Sequence, residues 1–217
     1  MNKFEGIIFD IDGTLTATNE LIFETFRFIT NKYLNINYKN EEITALFGPT
    51  EDVILKDLFG DSYDSARKDY FEFYSENHSK MAYAYPGIKE IVCKIKDAGI
   101  PLSIYTGKGR DSAAITLKEI GLYNYFDLIV SGDDVKEHKP SPEGVDVFVE
   151  KFNLNRENTL LIGDATVDIL AARNSGIKIA SVVWDSYGKE KVIAMGSDYL
   201  FHTVEELDDF ISKRIFN

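Results

Sequence analysis

Two aspartates stand two positions apart directly after a short apolar run, in Phe9-Asp10-Ile11-Asp12-Gly13-Thr14-Leu15. If that run is a strand, the pair lies at its carboxyl end, where open α/β sheets bind ligands. In a chain with 36 Asp+Glu such a pair is common as a solvated turn, so its meaning depends on what accompanies it. Three further stretches supply partners. Ile104-Tyr105-Thr106-Gly107-Lys108 brings a hydroxyl and an exposed glycine amide out of a second apolar run, and together these make a cradle for phosphate oxygens. In His138-Lys139-Pro140-Ser141-Pro142-Glu143, proline fixes the backbone after Lys139 and Ser141-Pro142 opens a helix, which holds a cation at a helix entrance. Ile162-Gly163-Asp164-Ala165-Thr166-Val167-Asp168 adds two carboxylates one helical turn apart. All-oxygen ligands of this kind suit Mg²⁺, which takes one or two protein carboxylates and keeps several waters.

Each stretch has an ordinary account when taken alone. Thr106 serves as a strand-end hydroxyl, Lys139 as a solvated charge, Asp164 as an N-cap and Asp168 as a partner of the helix dipole. The elements between them argue for more. Short runs rich in Ile, Val and Leu recur at Gly6–Phe9, Leu102–Tyr105, Leu128–Val130, Leu160–Ile162 and Ile179–Val183. Consecutive apolar positions predict strands covered on both faces. Helical patterns follow at Ile88–Asp97, Ser112–Ile120, Glu143–Phe152 and Val167–Asn174, with Gly99, Gly121 and Gly176 at C-cap positions. Strand and helix alternate, so the fold class expected is α/β, a Rossmann-like three-layer parallel sheet. A last strand at Tyr199–Phe201 and a helix at Val204–Ser212 close its edge.

The rhythm breaks between Thr16 and Tyr85. Leu21, Phe23, Phe26, Phe28, Ile29 and Tyr33 mark a long amphipathic helix, Tyr63–Met81 reads as another, and Leu46-Phe47-Gly48-Pro49-Thr50 is a turn between helices. An all-helical domain over residues 16–85 is therefore expected as an insertion into a core made of residues 1–15 and 86–217. Its aromatic side chains are expected to pack its helices together.

With 24 Lys+Arg against 36 Asp+Glu the formal charge is −12, a field that repels nucleic acid backbone and anionic lipid, so neither partner is expected. An anionic ligand must then be held by local cations. No run approaches a membrane span or a secretory leader, and the single cysteine, Cys93, cannot form an internal disulfide and reads as a small helix residue; a cytoplasmic location follows as the expectation. His78 and His202 join no constellation, His138 reads as an exposed neighbour of Lys139, and Trp184 as packing.

Asp10-x-Asp12-Gly13-Thr14, Thr106, Lys139-Pro140 and Gly163-Asp164-x-x-x-Asp168, in this order and with a helical insert after the first motif, resemble the haloacid dehalogenase superfamily over essentially the whole chain. The branch resembled is the phosphoglycolate phosphatase-like and beta-phosphoglucomutase-like one, with a helical cap. The resemblance implies Mg²⁺-dependent hydrolysis of a small phosphorylated metabolite, a phosphate monoester as in phosphoglycolate phosphatase. Asp10 would be the nucleophile, and Asp12 the acid that protonates the leaving group and the base that later activates water. It further implies Mg²⁺ on the carboxylates of Asp10 and Asp164 and the backbone carbonyl of Asp12, with Asp168 ordering metal-bound water; Thr106 and the Gly107 amide would hold the phosphoryl group, and Lys139 would offset charge. Dehalogenases lack an acid at the place of Asp12, so phosphoryl transfer is favoured.

Substrate choice would come from the cap and from residues after the second motif: Gly48, Pro49 and Thr50, with Lys108 and Arg110. In this resemblance Lys108 would hold a second anionic group, such as a carboxylate or phosphate. Two alternatives remain at this level, a sugar phosphomutase that passes the phosphoryl group to a sugar hydroxyl, and a non-catalytic phospho-ligand regulator. A monomer and a dimer are equally compatible with the sequence.

Overall fold

In the computed structural model, residues 4–215 are described. The chain runs β1 (Gly6–Phe9), β2 (Thr16–Ala17), α1 (Asn19–Leu34), α2 (Asn40–Thr44), α3 (Glu51–Phe59), α4 (Tyr63–Met81), β3 (Tyr83–Ala84), α5 (Ile88–Asp97), β4 (Leu102–Tyr105) and α6 (Arg110–Glu119). It continues through β5 (Leu128–Val130), α7 (Glu143–Phe152), β6 (Thr159–Gly163), α8 (Thr166–Ser175), β7 (Lys178–Val182), α9 (Lys189–Met195), β8 (Tyr199–Phe201) and α10 (Val204–Ile215). The expected strands and helices are present with small differences at their ends. Helix α6 starts two residues before the expected Ser112, because extended Gly109 takes the N-cap position.

Six strands form one parallel sheet in the order β5-β4-β1-β6-β7-β8. Its two-sided cover follows from the period of two along each strand. Ile7 and Phe9 of β1, with Leu160 and Ile162 of β6, face the layer formed by Ile88, Ile91 and Ile95 of α5, Leu117 of α6 and Leu207 and Ile211 of α10. Ile8 and Leu161 face the opposite layer, built on Val145, Phe148 and Val149 of α7, Ile169 and Ala172 of α8 and Val192 of α9. Strand β1 is central, with β4 on one side and β6 on the other, so the chain leaves it in both directions. A crevice opens at the carboxyl ends of strands where the order reverses in this way, and the residues after β1, β4, β5 and β6 all emerge there.

The inserted helices form an all-helical cap with a core of its own, including Leu21, Phe26, Ile29, Ile43, Leu55, Phe59, Tyr70 and Tyr74. Tyr74 also reaches the main body, where its hydroxyl lies 2.8 Å from Thr116 Oγ1, and buried His78 lies 3.3 Å from the same oxygen. Strands β2 and β3, which pair antiparallel, sit at the two crossings between cap and core. No helix of the described residues is long and apolar enough to cross a membrane.

Phe148 is fully buried in the layer over β1 and β6, and truncating it leaves a cavity the rigid sheet cannot close. Phe148→Ala is expected to cost about 3–5 kcal/mol in denaturant unfolding; a loss below about 1 kcal/mol would show that this layer is not packed as described.

Candidate active site

The crevice begins with the ends of β1 and β6, which are neighbours in register, Phe9 beside Ile162. Asp10 follows directly and remains tied to the sheet, its amide donating to the Ile162 carbonyl at 2.9 Å. Asp164 follows β6, and Asp168 lies in the first turn of α8. Oxygen atoms of Asp10, Asp164 and Asp168 all lie within 4.8 Å of one another. Two glycines permit this crowding. A Cβ on Gly13, whose φ is +75°, would stand 2.4 Å from Asp164 Oδ2, and one on Gly163 would stand 2.4 Å from Asp168 Cγ. Asp168 is fixed from two sides, Oδ2 accepting from the Ala165 amide at 3.0 Å and Oδ1 from Lys139 Nζ at 2.6 Å.

Lys139 also donates to Asp10 Oδ1 at 2.8 Å, and its ammonium stands 5.0 Å from the centre of the Tyr105 ring. Burial opposes its charge, but Asp10 and Asp168 outweigh burial and hold the ammonium above its ordinary value. One lysine cannot balance three carboxylates. Burial, with added repulsion from Asp168 and Asp12, raises the Asp10 carboxyl to about 7 although Lys139 pulls it down. Burial, then Asp10 and Asp168, likewise push Asp164 well above the carboxylate range. Two like charges about 4 Å apart repel by about 4 kcal/mol at an effective dielectric of 20. A hard divalent cation bound by these oxygens would remove that penalty, and the donor set fits one.

The side chain of Asp12 does not join this cluster. It accepts a hydrogen bond from Thr18 Oγ1 on the cap side of the crossing and faces Lys108 Nζ at 3.2 Å. Only its backbone remains available to the metal-ligand role expected for it. Thr106 is buried at the end of β4, and Gly107 beside it lines the crevice with open space where a Cβ would project. Gly48 and Pro49 line the same cavity from the cap; Thr50 does not, being packed behind it against Gly132 as the N-cap of α3. The cavity has a volume of about 450 Å³.

The two basic residues after β4 part company. Lys108 is buried in the crevice, between Asp12 and Glu51, whose Oε1 is 3.7 Å from its Nζ, and lies 5.2 Å from the Tyr74 ring centre. Arg110 does not reach the pocket. As the first residue of α6 it points outward, exposed, and pairs with Asp134. The expectation that His138 is merely an exposed neighbour is also corrected, since its half-buried ring lines the cavity and Nδ1 has no partner among the described residues. Trp184 packs edge-on against Tyr85 as expected.

The sequence reading missed Glu51 and Thr18. Glu51 sits at the start of α3, a place where an acid usually faces solvent, yet its carboxylate is buried and accepts from the Gly109 amide and from Ser112 Oγ, both at 2.6 Å. The only available signal was its position beside the Gly48-Pro49-Thr50 turn.

Against known proteins, the profile of the haloacid dehalogenase-like hydrolase family matches residues 7–182. The pyrophosphatase PpaX of Bacillus mycoides (strain KBAB4) is 31% identical over 211 residues, which is 97% of this chain and 98% of that protein. A predicted phosphoglycolate phosphatase from Haemophilus somnus superposes with a TM-score of 0.84 at 22% identity, covering 97% of this chain and 99% of its own. A candidate beta-phosphoglucomutase from Thermotoga maritima does so with a TM-score of 0.76 at 27% identity, over 96% and 99% of the two chains.

The raised Asp10 carboxyl has a consequence for stability. Between 3.8 and about 7 the cation-free folded state keeps a proton that the unfolded chain has released, so this group's contribution to stability falls as pH rises through that window. Divalent cations bind the ionised form, so Mg²⁺ should raise the melting temperature more near pH 8 than near pH 5. Equal shifts at both, or none, would show that these carboxylates do not bind the ion as a buried cluster.

Proposed function

Because the chain belongs to the haloacid dehalogenase-like hydrolase family, we propose that it hydrolyses small phosphate monoesters with Mg²⁺ through a phosphorylated Asp10. The observation that carries this reading is Lys139 bridging Asp10 and Asp168 inside an oxygen-only cluster that Asp164 completes.

The Asp10 and Asp164 carboxylates and the Asp12 carbonyl would hold the ion, with Asp168 orienting its water. When bound, Mg²⁺ supplies positive charge against the phosphoryl oxygens and the carboxylates. The chain's own groups do the remainder. Lys139 engages Asp10 Oδ1 and so leaves Oδ2 as the attacking atom. In-line attack on phosphorus forms the aspartyl-phosphate and breaks the bond to the alcohol oxygen, whose proton comes from Asp12. The Thr106 hydroxyl and the Gly107 amide hold the transferring group. Asp12, now ionised, takes a proton from water as that water attacks the acyl-phosphate, releasing phosphate and restoring Asp10. Thr18 and Lys108 keep the Asp12 carboxylate aimed at the reacting oxygen.

The cap bears on the choice between hydrolysis and mutase chemistry. A mutase needs a cap group that binds and activates a sugar hydroxyl, and a lysine or histidine there would suit it. Among the described residues, those of the cap that line the cavity are Asn19, Ile22, Phe26, Phe47, Gly48, Pro49, Glu51 and Ile54, none of them a basic residue. Transfer to water is therefore preferred. The single cysteine, half-buried on α5, fits a reducing cytoplasm.

Phosphate release from a panel of monoesters with and without Mg²⁺ tests the reading directly, and Mg²⁺-independent silence across the panel would overturn it. Asp10→Asn should lower kcat by several orders of magnitude, about 10³-fold or more, in a protein that remains folded; retained turnover would place the attacking group elsewhere. Asp12→Asn should slow alkyl phosphates more than aryl phosphates with acidic leaving groups, which depart without a proton. Equal losses would remove Asp12 from that step.

A further inference from the structure

The family resemblance expects Lys108 to bind a second anionic group on the substrate, but the charge around it argues otherwise. Five carboxylates line the cavity, Asp10, Asp12, Glu51, Asp164 and Asp168, against two ammonium groups, Lys108 and Lys139. His138 is the one other titratable base among the described lining residues. Lys139 is committed to Asp10 and Asp168 at 2.8 and 2.6 Å, and Lys108 lies between Asp12 and Glu51 at 3.2 and 3.7 Å. Adding one divalent ion leaves the set at −1 with every carboxylate ionised and at neutrality with Asp12 protonated, and a bound phosphoryl dianion makes either more negative. A second anion would find no uncommitted cation.

Glu51 is held where it takes up Lys108. One oxygen accepts from the Gly109 amide and the other from Ser112 Oγ, so the carboxylate cannot swing away without breaking two buried hydrogen bonds. Apart from Asn19, the rest of the cap-side lining is apolar. Ile22 and Phe26 of α1, Ile54 of α3 and Phe47 and Pro49 of the cap turn form its wall, in a cavity of about 450 Å³, well beyond the room a phosphoryl group alone requires.

We propose that the pocket selects phosphate monoesters whose alcohol portion is uncharged and largely apolar, and that Glu51 is the specificity-determining residue, excluding a second anionic group by occupying Lys108. The proposal rests on the monoester-hydrolysis reading above and names its substrate class. It separates this chain from substrates such as pyrophosphate or phosphoglycolate, in which the leaving group is itself an anion.

The test compares kcat/KM for benzyl phosphate, an alkyl ester with an apolar alcohol portion, with that for 2-phosphoglycolate and for pyrophosphate, all with Mg²⁺, in the wild-type protein and in Glu51→Gln. Wild type should favour benzyl phosphate by about tenfold or more, within what one set of pocket contacts achieves. Glu51→Gln keeps a carbonyl oxygen to accept from the Gly109 amide and an NH2 to donate to the Ser112 hydroxyl, but frees the Lys108 charge, and should narrow that preference by about tenfold. A wild-type preference for either anionic substrate, or an unchanged ratio in folded Glu51→Gln, overturns the proposal while leaving hydrolysis intact. Absence of phosphate release from all three overturns the hydrolysis reading and this proposal with it. Should Glu51→Gln fail to fold, Lys108→Met gives the answer by itself. It is expected to slow benzyl phosphate and phosphoglycolate alike, within about threefold of each other, and a selective loss of phosphoglycolate turnover would show Lys108 holding a second anion.

Discussion

The buried contact of Lys139 with Asp10 and Asp168 is the constraint on which the rest of the structure turns. Three carboxylates within 4.8 Å of one another are unfavourable anywhere, and more so out of water. The ammonium between two of them relieves part of that repulsion. Its removal would leave uncompensated buried charge, a change that typically costs about 3–5 kcal/mol. Holding the lysine there requires a loop after β5 that crosses above β4 and β1 towards α8, and it requires β1 and β6 to end side by side. The all-parallel sheet meets both demands, because every strand delivers its following loop to the same edge. A sheet of this kind must also be covered on both faces, which accounts for the two helical layers.

How far such a site can be read from sequence depends on whether its residues are positioned by the chain on either side of them or by contacts from afar. Asp10, Thr106 and Asp164 each follow a run of mainly apolar residues whose length fixes where the strand ends, so both the strands and the polar residues after them were legible. Lys108 and Arg110 show the limit. Two residues apart and alike in charge, they are separated by the N-cap of α6, which turns one into the crevice and the other out to Asp134. Glu51 shows it again, since its burial exists only because α3 lies on the loop before α6. Strands of two residues, such as β2 and β3, carry no periodicity at all, and the five residues of α2 scarcely one turn more.

The cap and the core keep separate hydrophobic interiors, and the crevice between them is where polar groups concentrate. Tyr74 and His78 meet Thr116, Glu51 meets Gly109 and Ser112, and Thr18 meets Asp12. Most of these hydrogen bonds are buried, so parting cap from core at this joint means breaking them, whereas each apolar interior is closed within its own part. The crevice runs along this joint, which is where a site that admits substrate and releases product needs its opening.

The β2–β3 ribbon carries a consequence of a different order. Because Thr16 pairs with Ala84 and Ala17 with Tyr83, the chain departs from the core and returns to it through neighbouring, hydrogen-bonded residues. Everything between those points is topologically a module clipped into a continuous scaffold. Over generations, such a module can be lengthened, shortened or exchanged for another without disturbing the ends of β1 or α5. The reaction and the choice of what undergoes it can then diverge at different speeds within one gene.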